Sequence, residues 1–307
     1  MIPHIIRTWR AAAIVVVTLV SFGCSTASYH AGTDAPAPTL DRIRNATIPG
    51  IFLEPVTLND GVYEGAPYFS GGASRPRVTL WDNPAPSGPL RGVSGNVTAA
   101  FLSETSGGSG ERIYLAAFRM DGSELQHLGT ALIGDRTKVR SASFSDGEIV
   151  VDVVETGAKQ AACCGTQLAR KRYVPANDTL TLSSSQLTGI LSLATASGRT
   201  WKLVSINGRS FSTDPPTLTF ETGRVAGFSG CNRYTGQVSE RTPGQIDIVR
   251  LAGTKTACGE AESDLERRFL EALAETRSYT FLAGRLALTT LGRRGTGLLL
   301  FESEPPS

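Results

Sequence analysis

The chain has 307 residues, with 30 Lys+Arg against 28 Asp+Glu, 40% hydrophobic residues, 33 glycines, 16 prolines and three histidines. The charge is nearly balanced, so nothing in the composition draws the body of the protein to nucleic acid or anionic lipid. High glycine and proline without a long heptad run describe a turn-rich, mostly β globular chain.

The N-terminus, MIPHIIRTWRAAAIVVVTLVSFGCST, sets Arg7 and Arg10 ahead of an apolar and small-residue run from Ala11 to Gly23 that stops at Cys24. A basic segment followed by a short apolar one is an export signal, whereas a spanning helix needs about 20 apolar residues. We expect residues 1–23 to be removed, which leaves 28 Lys+Arg against 28 Asp+Glu and a mature net charge of zero. The Gly23-Cys24 junction, approached by Leu19 and Val20, resembles a bacterial lipobox, although Ser21 and Phe22 depart from its usual pattern. The resemblance implies acylation of Cys24 and a lipoprotein facing the periplasm, with Ser25 favouring the outer membrane. Several acyl chains on one cysteine anchor stably where a single chain binds marginally. An ordinary secreted protein cleaved nearby is the alternative.

Residues 24–45, small and polar with alternating Ala-Pro, read as a flexible tether. The remaining length suits two domains. The first, residues 46–182, shows short β-type runs at 77–81, 96–103, 112–120, 125–133, 138–145, 148–156 and 168–174. Asp121-Gly122 and Asp146-Gly147 fall between such runs, the strongest short-range hairpin signal, so an antiparallel meander is expected. Adjacent Cys163 and Cys164 can bond to each other, pair elsewhere or stay buried as thiols. A strained vicinal pair would be easily reduced and would suit a redox sensor. Residues 183–199 read as a linker, 200–302 as a second domain and 303–307 as a tail.

In the second domain Cys231 and Cys258 are the only cysteines. In an exported protein they favour a disulfide worth about 3–4 kcal/mol by loop closure. Buried free thiols are the alternative, and a zinc site would want four ligands in a domain with no histidine. The run SDLERRFLEALAETR reads as an amphipathic helix, with a capping box from Ser263 to Glu266 and an apolar stripe of Leu265, Phe269, Leu270 and Leu273. Glu262, Glu266, Arg267, Arg268 and Glu271 read as its solvated face. One helix packed on a small antiparallel sheet gives an α+β domain beside the β-rich first one.

Trp201-Lys202-Leu203, TLTF at 217–220, GFSGCNRYTG at 227–236, LAGTKTAC at 251–258, LERRFLEAL at 265–273, LALTTL at 286–291 and LLLFE at 298–302 resemble the META domain, including its heat-inducible bacterial members. The blocks that carry the resemblance are Gly-Cys-Asn with a glycine four residues on, and the cysteine run ahead of a Glu-x-x-Phe helix. It covers about a third of the chain and implies an envelope or stress-response protein, often a lipoprotein, with no enzymatic activity and no cofactor. Asn232, Arg233 and Tyr234 are then a candidate binding surface. The structural alternative weighs more: Gly230 and Gly236 allow tight backbone, Asn232 caps the turn or takes a positive φ, and Cys231 pins the corner. The first domain is similar to a β-rich region that accompanies META domains in some bacterial lipoproteins. Its GVSGNV, at 92–97, carries no carboxylate, so a calcium loop is excluded there, and Gly165 stands where such relatives would have proline.

After loss of the signal only His30 and His127 remain, and no nucleophile elbow, zinc-protease helix or phosphate-cradling glycine loop is present. The expectation is an anchored envelope protein with a binding or supporting role, whose partners are the membrane and an envelope protein or small ligand rather than nucleic acid. A carrier of a small apolar ligand or lipid is the first alternative. A hydrolase of envelope polymers, which needs only two carboxylates, is the second.

Overall fold

The computed structural model describes residues 36–303 except Lys159, Ala162, Cys163 and Arg294. The expected export signal, Cys24, the expected tether as far as residue 35, Cys163, and residues 304–307 of the expected tail lie outside the described residues. The described residues begin inside the stretch expected to be tether. A short helix α1 (Leu40–Ile43) buries Ile43 completely, and Thr98 Oγ1 donates to the Pro38 carbonyl at 2.6 Å. The Ala-Pro composition of the stretch hid one apolar turn, Leu40 and Ile43, that the sheet behind it covers.

The first part of the chain is two antiparallel sheets. A two-stranded ribbon of β1 (Thr47–Ile48) and β2 (Val56–Thr57) precedes them. In the first sheet β3 (Val62–Glu64), β4 (Arg77–Leu80), β6 (Asn96–Thr105), β7 (Arg112–Asp121) and β8 (Glu124–Asp135) are neighbours in that order, with β5 (Ser87–Pro89) paired to β6. The second has the order β12 (Thr179–Ile190), β11 (Gln167–Ala176), β10 (Glu148–Glu155), β9 (Lys138–Ser145). Alternation in β6 explains how one strand serves two cores. Val97, Ala99 and Phe101 face the second sheet, while Ala100 and Leu102 face α1 and the β1–β2 ribbon. Residues in the left-handed region close the hairpins: Asp146-Gly147 between β9 and β10, and Asn177-Asp178 between β11 and β12.

The segment expected to be a linker, 183–199, is structured differently. Residues 183–190 are the second half of β12, paired with β11 through two register shifts, and a 3-10 turn (Leu193–Ala196) follows. Every residue of β12 from Thr181 to Ile190 is exposed, so it has no buried face to print an alternating pattern on the sequence.

The rest of the chain closes into a barrel of eight antiparallel strands: β13 (Trp201–Ile206), β14 (Thr217–Glu221), β15 (Arg224–Phe228), β16 (Arg233–Thr242), β17 (Gln245–Gly253), β18 (Thr276–Leu282), β19 (Arg285–Gly292) and β20 (Gly295–Ser303). The expected small sheet is thus larger and returns on itself, with Leu203 opposite Phe301 where the first strand meets the last. Helix α2 (Glu260–Ala274) lies between β17 and β18 in the chain, where the wall is joined through a single residue pair, Gln245 opposite Ser278. The expected stripe is right: Leu265, Phe269 and Leu273 are each at most 1% exposed and join Trp201, Phe220, Phe281 and Phe301 in the barrel core. Phe269 stands edge-on to Tyr234 at 5.6 Å and to Phe301 at 6.4 Å. Eight strands enclose a space that side chains fill, and here aromatic rings fill it.

The expected capping box fails. The N-cap is Gly259, and Ser263 lies a full turn inside, its N–H donating to the Gly259 carbonyl at 3.0 Å. Glu260 and Glu262 occupy the first turn, where carboxylates favour the positive end of the helix dipole.

The barrel also docks on the first part of the chain. The tip of the β18–β19 hairpin, Ala283-Gly284, receives Asn83 Nδ2 at the Ala283 carbonyl (2.7 Å) and gives the Gly284 N–H to the Val139 carbonyl (3.0 Å). Asp82 meets Arg285 at 3.1 Å beside it.

Candidate functional site

The Gly-Cys-Asn corner joins β15 to β16. Gly230 sits at φ +102°, and a Cβ there would come within 3.2 Å of Leu265 on α2, so glycine permits both the turn and the approach of the helix. Cys231 and Cys258 are disulfide-bonded with their Cα atoms 6.0 Å apart, inside the normal range, which ties this corner to the segment leading into α2. Cys164 is also disulfide-bonded.

Asn232, 5% exposed, is the hub of the corner. Its Oδ1 accepts from Thr254 Oγ1 (2.7 Å) and from the Thr256 N–H (2.8 Å). Its Nδ2 donates to Glu266 Oε1 (3.2 Å) and the Thr256 carbonyl (3.3 Å), and its backbone N–H donates to Glu266 Oε2 (2.9 Å). Ser229, fully buried, donates its hydroxyl to the same carboxylate. Asn232 works from an ordinary backbone conformation, not the positive φ considered from sequence. Glu266 is correspondingly not on a solvated face: it is half-buried and takes three hydrogen bonds from the corner. The spacing of the Glu-x-x-Phe block carries the reason, since Glu266 and Phe269 are three residues apart on one face of α2. Phe269 enters the core while Glu266 clamps the turn.

The three residues singled out as a binding surface therefore separate. Tyr234 is 4% exposed and donates its hydroxyl to the Thr217 carbonyl at 2.9 Å. Burial raises its phenol far above the ordinary value, so it stays protonated. Asn232 is consumed by the corner. Arg233 alone is exposed, with its backbone fastened on both sides: its N–H donates to Thr254 Oγ1 (3.3 Å) and its carbonyl accepts the Thr254 N–H (3.0 Å).

Arg233 lines a groove of about 600 Å³ on the outer wall over β14–β17. A rung of small side chains crosses its floor: Thr219 is opposite Ala226, Ala226 opposite Thr235, and Thr235 opposite Ala252. Arg224, on β15, stands on one side of this rung and Arg233, on β16, on the other. Gly227 lets β14 approach, because a Cβ there would fall 2.0 Å from the Thr217 carbonyl oxygen. Thr200, Thr217 and Thr254 complete a lining rich in hydroxyls, and none of the lining residues is a carboxylate. Nothing in the sequence marked Thr219, Arg224 or Thr235, which belong to the groove only through strand register.

His127 is remote from this groove, on β8, with Nε2 2.8 Å from Thr130 Oγ1 and its ring edge-on to Phe118 at 5.4 Å. Burial lowers its pKa, partly offset by the charge of Asp178.

Among known proteins, the family model described as the META domain matches residues 192–305, which span the 3-10 turn and all eight barrel strands. An NMR structure of a protein from Burkholderia xenovorans is similar at 24% identity over 37% of this chain and 86% of that one, with a TM-score of 0.30. A second NMR structure is similar at 24% identity over 37% of this chain and 95% of that one, with a TM-score of 0.31. No curated protein matches the chain. The match to the META domain model thus lies in the C-terminal third of the chain, residues 192–305.

Proposed function

We propose that the chain is a lipid-anchored protein of the bacterial cell envelope, facing the periplasm, whose META domain acts by non-catalytic binding or structural support in envelope integrity or stress response. The observation that carries this reading is the division of labour in the Gly-Cys-Asn corner: Asn232 and Tyr234 are buried and bonded, and Arg233 alone is presented to solvent at a groove. The Cys231–Cys258 disulfide supports an oxidising compartment, where such bonds persist. Two half-buried carboxylates that would be candidates for hydrolysis have structural duties. Glu240 accepts from the Leu193 and Gly244 N–H groups and from the Tyr279 hydroxyl, and Glu266 accepts from Ser229 and Asn232. The aromatic filling of the barrel argues against a carrier of apolar ligands.

The test has two arms. Labelled palmitate should be incorporated by the native chain and not by Cys24→Ala, and the native chain should sediment with membranes. Purified protein should release no soluble fragments from cell-wall or glycan polymers. An unlabelled, freely soluble native chain overturns the anchor, and polymer turnover overturns the non-catalytic role.

A further inference from the structure

We infer that the groove over β14–β17 is a binding site for an oxyanion carried on a hydroxylated ligand, such as a phosphorylated or carboxylated sugar unit, with Arg224 and Arg233 as the anion-binding residues. The inference rests on the binding reading above and names the chemistry of its site.

Three features of the groove point the same way. Its charges are of one sign: the lining holds two guanidinium groups and no carboxylate. Arg224 has an exposed acidic neighbour, Glu221, at 3.9 Å, a distance that leaves its planar fork open to a better acceptor. The Arg233 guanidinium makes no hydrogen bond or ion pair with any described residue, while its backbone is fastened by Thr254 and adjoins the Asn232 hub. Its guanidinium is therefore free to take an anion without first giving up a protein partner, at the cost of ordering its own side chain.

The second feature is the floor. Alanines at 226 and 252 alternate with Thr219 and Thr235, so the rung between the arginines is shallow; Thr219 gives its hydroxyl proton to the Ala226 carbonyl at 3.1 Å and keeps lone pairs to offer, while Thr235 keeps its proton. Threonine hydroxyls both donate and accept, which suits a ligand with hydroxyls of its own. Arg224 Nε already donates to Thr235 Oγ1 at 3.0 Å, aiming its side chain across the floor.

The third is scale. The two arginines lie one rung to either side of the Thr/Ala rung, a span of about 13 Å along the strands, which their long side chains narrow from both ends. The volume of about 600 Å³ lies within the usual range for small-ligand sites. A lone anion would leave most of this space empty, whereas an anionic unit on a sugar or short chain fills it.

The test is calorimetric titration of the full chain in detergent with two defined probes, glucose 1-phosphate and trigalacturonate. At least one should bind, and binding should weaken as salt is raised. Arg233→Gln and Arg224→Gln should each weaken it roughly tenfold, the scale of a lost charge-assisted hydrogen bond. Arg241→Gln, at the far end of β16 and paired with Asp247, should bind like the native chain. Thermal melting of the three variants checks that they fold. Preference for one probe identifies phosphate or carboxylate as the source. Binding of neither probe, or equal binding by all three variants, overturns the inference. Repeating the titration with Cys24→Ala keeps it independent of the anchor, which can fail without affecting the groove.

Discussion

Cys231 and Asn232 are adjacent and do different work. The disulfide restrains the unfolded chain, and with its partners 27 positions apart in sequence the expected contribution is about 3–4 kcal/mol. Cys258→Ser should lower the free energy of unfolding by about that amount, read by denaturant titration, and leave secondary structure unchanged below the transition. The pair was legible because two cysteines in a domain without histidine, behind a segment that reads as an export signal, leave few uses for either. The partner of Asn232 was not, because Glu266 sits among charges that look like a solvated helix face, and only the fold brings it to the corner. His127 illustrates a different residue-level effect. Burial holds its folded pKa below the ordinary 6.5, so between the two values the unfolded chain binds a proton that the native chain does not. Stability should therefore fall as pH drops below about 6.5, and His127→Gln should flatten that part of the profile in unfolding experiments at a series of pH values.

Helix α2 was recognisable by its stripe of Leu265, Phe269 and Leu273, since period 3.6 survives in any helix that covers a core. Its start was misread because Ser263 and Glu266 imitate a capping box one turn inside a helix that begins at Glu260. The long strands β6, β7 and β10 were legible from their apolar runs, and Asp-Gly pairs placed the β7–β8 and β9–β10 turns. Strand β12 was not, because a strand exposed on both faces has no pattern to read, and its serines look like linker. This strand has a second property: from Thr179 to Ile190 it carries no charge and no proline, at the edge of its sheet, with Leu187 62% exposed. Such edges usually carry charge that discourages pairing with other chains. Leu187→Lys should lower concentration-dependent aggregation, measured by light scattering, while leaving the melting temperature nearly unchanged.

Closure of the barrel was beyond the sequence, since it depends on β13 meeting β20 about a hundred residues later, a pairing that no local window contains. The docking of the Ala283-Gly284 turn against Asn83 is likewise a long-range contact between segments that look like ordinary loops. All described residues fall within one compact unit, Thr33–Ser307. Within it the join of the barrel wall with the fewest paired residues is the single pair between β17 and β18, and α2 lies between these strands in the chain. The Asn232–Glu266 contact fastens α2 to the β15–β16 corner, so the Gly-Cys-Asn and Glu-x-x-Phe blocks act as one unit beside the groove that Arg233 lines. The most direct measurement of that claim is a double-mutant cycle of Asn232→Ala and Glu266→Ala on the free energy of unfolding. Removal of either partner should be costly, and the double variant should recover a coupling energy of about 1–3 kcal/mol. Losses that simply add, within about 0.3 kcal/mol, would contradict it.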